Sequence, residues 1–196
     1  MKSLINNYLL NSAKALESLI AEEVKIEMIA EKIFTCYKNS NKVLVGGNGG
    51  LCAEAEHFCG ELTCTFKSPH RKAISAISLT SSASAITAWS NDFGFDSYFV
   101  RMVEAHGRPG DLLFLFSTGG GDIENGYSMS LYNAAKYAKN NDIKIISIVG
   151  KSGGALKEIS DDLIHIKSNI TSTIQESTLV LTHLFCEILE YKMNDA

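Results

Sequence analysis

The sequence predicts an α/β fold: a doubly wound, five-stranded parallel sheet sandwich with two N-terminal helices packed outside it. Three observations carry this. Five short runs rich in Val, Ile, Leu and Phe alternate with helical segments. The runs are apolar throughout rather than at every second residue, as strands covered on both faces require. The turns after the first, third and fourth runs contain glycine and lead into helices, as strand-to-helix turns do.

The elements follow in order. Residues 3–19 and 21–38 read as helices because apolar side chains recur at spacings of three and four, at Leu4, Tyr8 and Leu9 and then at Val24, Ile26, Ile29 and Ile33. "NSNK" breaks that pattern. The strand candidates are "KVLVGG" (42–47), "AISAISL" (73–79), "DLLFLFS" (111–117), "KIISIVG" (144–150) and "DLIHIKS" (162–168). Helices are expected between them at about 51–64, 81–89, 96–106, 123–139 and 153–159, with a last one over 173–191. No internal repeat or low-complexity tract interrupts the series, and the two prolines, Pro69 and Pro109, fall in connections. The chain reads as one domain over 1–196, with N-terminal helices over 1–40 and the α/β sandwich over 42–192.

Bulk properties narrow the function. Hydrophobic residues are 45% and charged residues 20%, as in ordinary soluble domains. A net charge of −4 argues against nucleic acid, whose phosphates call for a basic face. The N-terminus, broken by Asn6, Asn7 and Asn11, has neither a signal-peptide core nor a membrane span. Five cysteines without a CxxC pair fit reduced thiols, so a cytoplasmic location is expected.

In an open α/β sheet, ligands bind beyond the carboxyl ends of the strands. The loops there are "GGNGG" (46–50), "STGGGD" (117–122) and "GKSGG" (150–154). Backbone N–H groups at helix starts host anions, while glycine also simply makes tight turns. Three such loops at one sheet edge favour a small-molecule site. After the first loop, His57 and Glu61 stand four apart, on one helix face. That pair can share a metal, act as acid and base, or be an ordinary surface pair. In the last helix, Gln175 and His183 interrupt an apolar segment eight residues apart, about 12 Å along the axis. One ion can take both only if Gln175 reaches forward or different subunits supply the ligands. His70, His106 and His165 receive no role.

"GGNGG…HFCGEL", "SNDFGF", "VEAHGRPGDLLFLFST" and "IQE…H", in this order, resemble the phosphoheptose isomerases of the SIS (sugar isomerase) fold, from about residue 42 to 190. The resemblance implies a homotetramer with active sites at subunit interfaces. It implies interconversion of sedoheptulose 7-phosphate and D-glycero-D-manno-heptose 7-phosphate, toward heptose for lipopolysaccharide or capsule. By position, the general base falls on Glu61 and the general acid on His183. One zinc ion per active site falls to His57, Glu61, Gln175 and His183. Substrate contacts fall on Asn48, Gly49, Gly50, Asp92, Ser117, Thr118 and Gln175.

The chain departs from this family where phosphate is bound. Leu51 replaces a usual serine, "STGGGD" replaces "STSGNS" so that Gly119 and Asp122 stand for serines, and Thr65 replaces an arginine. An ionised Asp122 about 4 Å from a phosphate would cost roughly 4 kcal/mol at an effective dielectric of ~20. Asp122 could instead cap its own helix. Two alternatives therefore stand beside the heptose phosphate isomerase: a divergent isomerase of another sugar, neutral or differently substituted, and a non-catalytic SIS adaptor. Retention of His57, Glu61, Gln175 and His183 argues for catalysis.

Overall fold

The computed structural model describes residues 1–194; residues 195 and 196, inside the expected domain span, lie outside the described residues. Helices α1 (Lys2–Ser18) and α2 (Glu23–Lys38) lead into β1 (Val43–Gly47), α3 (Gly50–Thr63) and β2 (Ala76–Ser78). Then follow α4 (Ala83–Phe93), α5 (Tyr98–His106), β3 (Leu112–Ser117) and α6 (Met129–Lys139). The chain closes with β4 (Lys144–Val149), α7 (Leu156–Ile159), β5 (Asp162–His165) and α8 (Thr171–Asn194).

All five strands pair in parallel, in the order β2-β1-β3-β4-β5. The expected doubly wound sheet is therefore present. Its apolar strands are explained by two cores. Side chains alternate across a strand, so Phe114 and Phe116 of β3 face one layer and Leu113 and Leu115 the other. The first layer holds Ile29 and Ile33 of α2, Phe58 of α3 and Phe185 of α8. The second holds Phe99 and Val103 of α5 and the small residues Ala134, Ala135 and Ala138 of α6. Connections leave β1 in one direction and β3 in the other, so the loops after these two strands flank the crevice at the switch point.

Several boundaries differ from the sequence reading. The second strand keeps only 76–78 and the fifth only 162–165; the seventh helix is a single turn, and residues 19–22 form a 3-10 link. The largest difference is at 123–139, where the helix begins only at Met129. Asp122 and Tyr127 exchange both backbone hydrogen bonds, at 2.8 and 3.1 Å, and Gly126 has φ of 74°. The Asp, Asn and Gly of "DIENGY" thus close a tight turn that defers the helix.

Candidate active site

The β1 and β3 loops and the last helix define the site. Gly50 starts α3 with no side chain because Gln175 is there: a Cβ at Gly50 would lie 2.5 Å from Gln175 Nε2. This contact brings α8 against the start of α3. Two turns further along α3, His57 Nε2 lies 2.8 Å from His183 Nε2, the rings meeting edge to face. Glu61 Oε1 lies 3.6 Å from His57 Nε2. The structure therefore brings His57, Glu61 and His183 together, while Gln175 faces Gly50 farther up α8. Among the described residues no three His, Cys, Asp or Glu side chains close around one point. The imidazole pair nevertheless aims two Nε2 atoms at one another. Zinc bonds of about 2.0–2.1 Å place two nitrogens roughly 3.3 Å apart in a tetrahedron, a small opening from 2.8 Å. The donor types suit zinc, with Gln175 joining only by swinging from Gly50.

Of the other expected site residues, Asn48 donates to Ser130 Oγ at 3.3 Å and Gly49 adopts φ of 60°. Ser117 is buried and accepts the Gly120 N–H at 2.9 Å, so its hydroxyl shapes the loop. Thr118 and Gly119 line a cavity of about 540 Å³ together with Asp122, Tyr127 and Lys151. Asp92 is not brought to this site within the chain. It lies on α4, a helix with no buried residue, beside Asn91.

The Asp122 carboxylate does not cap α6. It accepts the Glu124 and Asn125 N–H groups, both at 3.1 Å, and the Asn125 side-chain amide at 2.7 Å. The Asn125 side chain, then these amides, hold its carboxyl below the usual range. Its charge is already met by its own turn. Across the cavity, Lys151 has φ of 49°, a left-handed conformation fixed by two bonds. Its N–H donates to Ser168 O at 2.9 Å, and His165 Nε2 donates to its carbonyl at 2.8 Å. His165, assigned no role from sequence, thus pins the residue that brings a cation to the cavity.

Sequence reasoning also missed Glu54. It lies one turn before His57 on the same α3 face, and its Oε2 is buried without a hydrogen-bond partner. Burial pushes its carboxyl up to about 8. The unfolded chain releases that proton near the ordinary value, so from there to about pH 8 the folded state binds more protons. Stability then falls as pH rises. Glu54→Gln, always neutral, is expected to stabilise the fold at pH 9 by on the order of 2 kcal/mol and to change little at pH 5. Thermal melts at both pH values check this; equal shifts at the two would refute it. The only early signal was a carboxylate in "AEAEH", which reads as a solvated helix face.

The thiols of Cys59 and Cys186, buried beside this region, are each pushed up to about 12 by burial, and all five cysteines are free. No helix among the described residues is long and apolar enough to cross a membrane.

Comparison with known proteins adds independent findings. A family model for the SIS domain matches residues 7–150. A probable phosphoheptose isomerase of Thermoplasma acidophilum is 39% identical over 185 residues, covering 94% of this chain and 97% of the relative. Phosphoheptose isomerase 2 of Campylobacter jejuni is 34% identical, covering 98% and 94%. The structure of a phosphoheptose isomerase from Francisella tularensis superposes with a TM-score of 0.87 at 31% identity, covering 97% of this chain and 98% of that one.

Proposed function

This chain belongs to the SIS-domain phosphoheptose isomerases, and from that premise we propose that it interconverts sedoheptulose 7-phosphate and D-glycero-D-manno-heptose 7-phosphate. It is an isomerase; the sugar, the zinc ion, the assembly and the pathway are our reading. The observation that carries the reading is the convergence of His57, Glu61 and His183 between the facing helices α3 and α8.

Moving a carbonyl between C1 and C2 needs a base for a carbon-bound proton and an acid for the carbonyl oxygen. Glu61 takes the proton, giving the enediol, and returns it to the neighbouring carbon. His183 donates to the oxygen that gains a hydrogen and recovers the proton from the hydroxyl that becomes the new carbonyl. His57 orients both through its contacts to the Glu61 carboxylate and the His183 ring. Zinc, held by His57, Glu61 and His183 with Gln175 as a fourth ligand, would supply Lewis-acid polarisation of the carbonyl. Asn48, Gly49 and Gly50 line the β1 side, and Thr118 with the β3-loop amides lines the phosphate side.

Two features bear on the phosphate. Gly119 and Asp122 remove hydroxyls, which favours the second reading, an isomerase of a non-phosphorylated sugar. Against it, the Asp122 charge is taken up by its own turn and Lys151 adds a cation to the same cavity. Lys151→Gln is expected to raise KM for the sugar phosphate about tenfold with kcat little changed. An unchanged KM would remove Lys151 from the phosphate site.

We place the active sites at interfaces of a homotetramer in the cytoplasm, serving heptose synthesis for lipopolysaccharide or capsule. Supporting the assembly, α1 buries only Ala15, and Leu4, Leu9, Ile20 and Val24 are each more than 60% exposed. Asp92 on the uncovered α4 would reach a neighbouring subunit's site. The deciding experiment is incubation of the purified protein with sedoheptulose 7-phosphate while following aldose formation. No turnover ends the proposed reaction, and turnover of the dephosphorylated sugar alone selects the second reading.

A further inference from the structure

His183 is held from both sides. The His57 ring meets its edge, with centroids 5.0 Å apart at 74°, and the Phe66 ring lies nearly parallel to it at 5.6 Å and 24°. Phe66 belongs to the loop after α3, and the backbone of that loop is tied to α8 chiefly through Glu190, with an exposed Lys67–Glu187 pair beside it. Glu190 is 5% exposed and accepts the N–H groups of Phe66 at 3.1 Å, Lys67 at 3.0 Å and Ser68 at 2.9 Å. It also accepts Arg71 Nε at 3.0 Å. Seven residues separate Glu190 from His183, two helical turns on the same face. Arg71, its side chain 2% exposed, turns its remaining nitrogens to the end of α3. Nη1 donates to the Leu62 carbonyl at 2.8 Å and Nη2 to the Glu61 carbonyl. These carbonyls lie in the last turn, where no intrahelical donor follows.

We propose that Glu190, Arg71 and Phe66 form a positioning unit that fixes the His183 ring and the Glu61 backbone relative to each other. The unit closes a circuit. Glu190 of α8 anchors the loop, the loop lays an aromatic face on an α8 histidine, and the loop's arginine grips the backbone of Glu61, one turn beyond the His57 that meets that histidine from α3. The three act through other residues: Phe66 on the His183 ring, Arg71 on the Glu61 backbone and Glu190 on the loop that carries both. Loss of the aromatic face frees His183 to rotate away from His57, and ångström-scale misplacement of a reacting group costs up to about 100-fold in rate.

The inference rests on the reading of Glu61 and His183 as base and acid, so its test has one arm that needs no substrate. In the full-length protein, Phe66→Leu and Glu190→Gln are compared with Phe66→Tyr. The leucine and glutamine variants are expected to lose about 10- to 100-fold in kcat with KM within about threefold, while tyrosine restores most of the rate. Without substrate, the carbon-bound ring protons of His183 should shift downfield in Phe66→Leu, where the ring current is lost, and stay near native in Phe66→Tyr. Unmoved His183 resonances in Phe66→Leu, or a loss confined to KM, would overturn the unit. So would a rate that falls only in step with the melting temperature. If Glu190→Gln does not fold, the two Phe66 variants decide alone. If the native protein turns over no sugar, the functional reading fails, and the resonance shift still decides the positioning.

Discussion

Glu61→Gln is expected to lower turnover of sedoheptulose 7-phosphate by about 10²- to 10⁴-fold, the range a positioned general base contributes. The substitution keeps the side chain's shape and removes its capacity to take a proton. The fold should hardly notice. The carboxylate is 24% exposed, and its contact with His57 at 3.6 Å is a partly solvated pair worth about 1 kcal/mol at most. Its backbone carbonyl, gripped by Arg71, is untouched. The melting temperature should therefore stay within a few degrees of native while kcat collapses. A second readout isolates the step. In deuterated buffer the native enzyme should wash solvent deuterium into the sugar at the carbon losing its proton, and the variant should not. Retention of the native rate within tenfold, or undiminished exchange, would mean that another group is the base.

Much of the architecture was legible because burial on both faces leaves a direct imprint on composition. A strand such as "LLFLF" has no polar face to show, and all six residues of β3 are buried. Where burial is partial the imprint weakens: β2 lies at the sheet edge, and only three residues of its seven-residue run pair. At 122–127 the expected helix gives way to a turn, because Asp122, Asn125 and Gly126 are turn chemistry.

The candidate site divides along the same line. His57 and Glu61 share a helix face by spacing alone, so their pairing follows from the local sequence. The approach of His183 does not, since it depends on α8 packing onto α3 through Gly50 and Gln175, 125 residues apart in sequence. Glu190, Arg71 and Phe66 were invisible for that reason too: each partner is supplied by another element, and no spacing rule links them. Lys151 escaped notice because its importance comes from the cavity it lines and from a backbone angle that only tertiary bonds maintain.

The second large effect separates metal holding from proton transfer. His57→Ala and His183→Ala are each expected to lose bound zinc and about 10²- to 10⁴-fold in kcat, but to differ in rescue. His57 is read as a ligand and orienting group, so a large excess of zinc should recover part of the rate in His57→Ala. His183 is read as a ligand and also as the acid, so zinc should refill His183→Ala without restoring turnover. The 2.8 Å approach of the two Nε2 atoms gives this contrast its footing, because each imidazole presents the same atom to the same point and only their assigned duties differ. Metal content, measured directly on native and variant proteins, decides the first half independently of activity. Native protein that holds no zinc after refilling would remove the ion and leave the carboxylate–imidazole pair as the catalytic apparatus. Equal rescue of both variants would move the acid away from His183. The remaining candidate nearby would then be Glu54, whose carboxyl burial pushes up to about 8. Glu54→Gln assayed for turnover at pH 7 would test it.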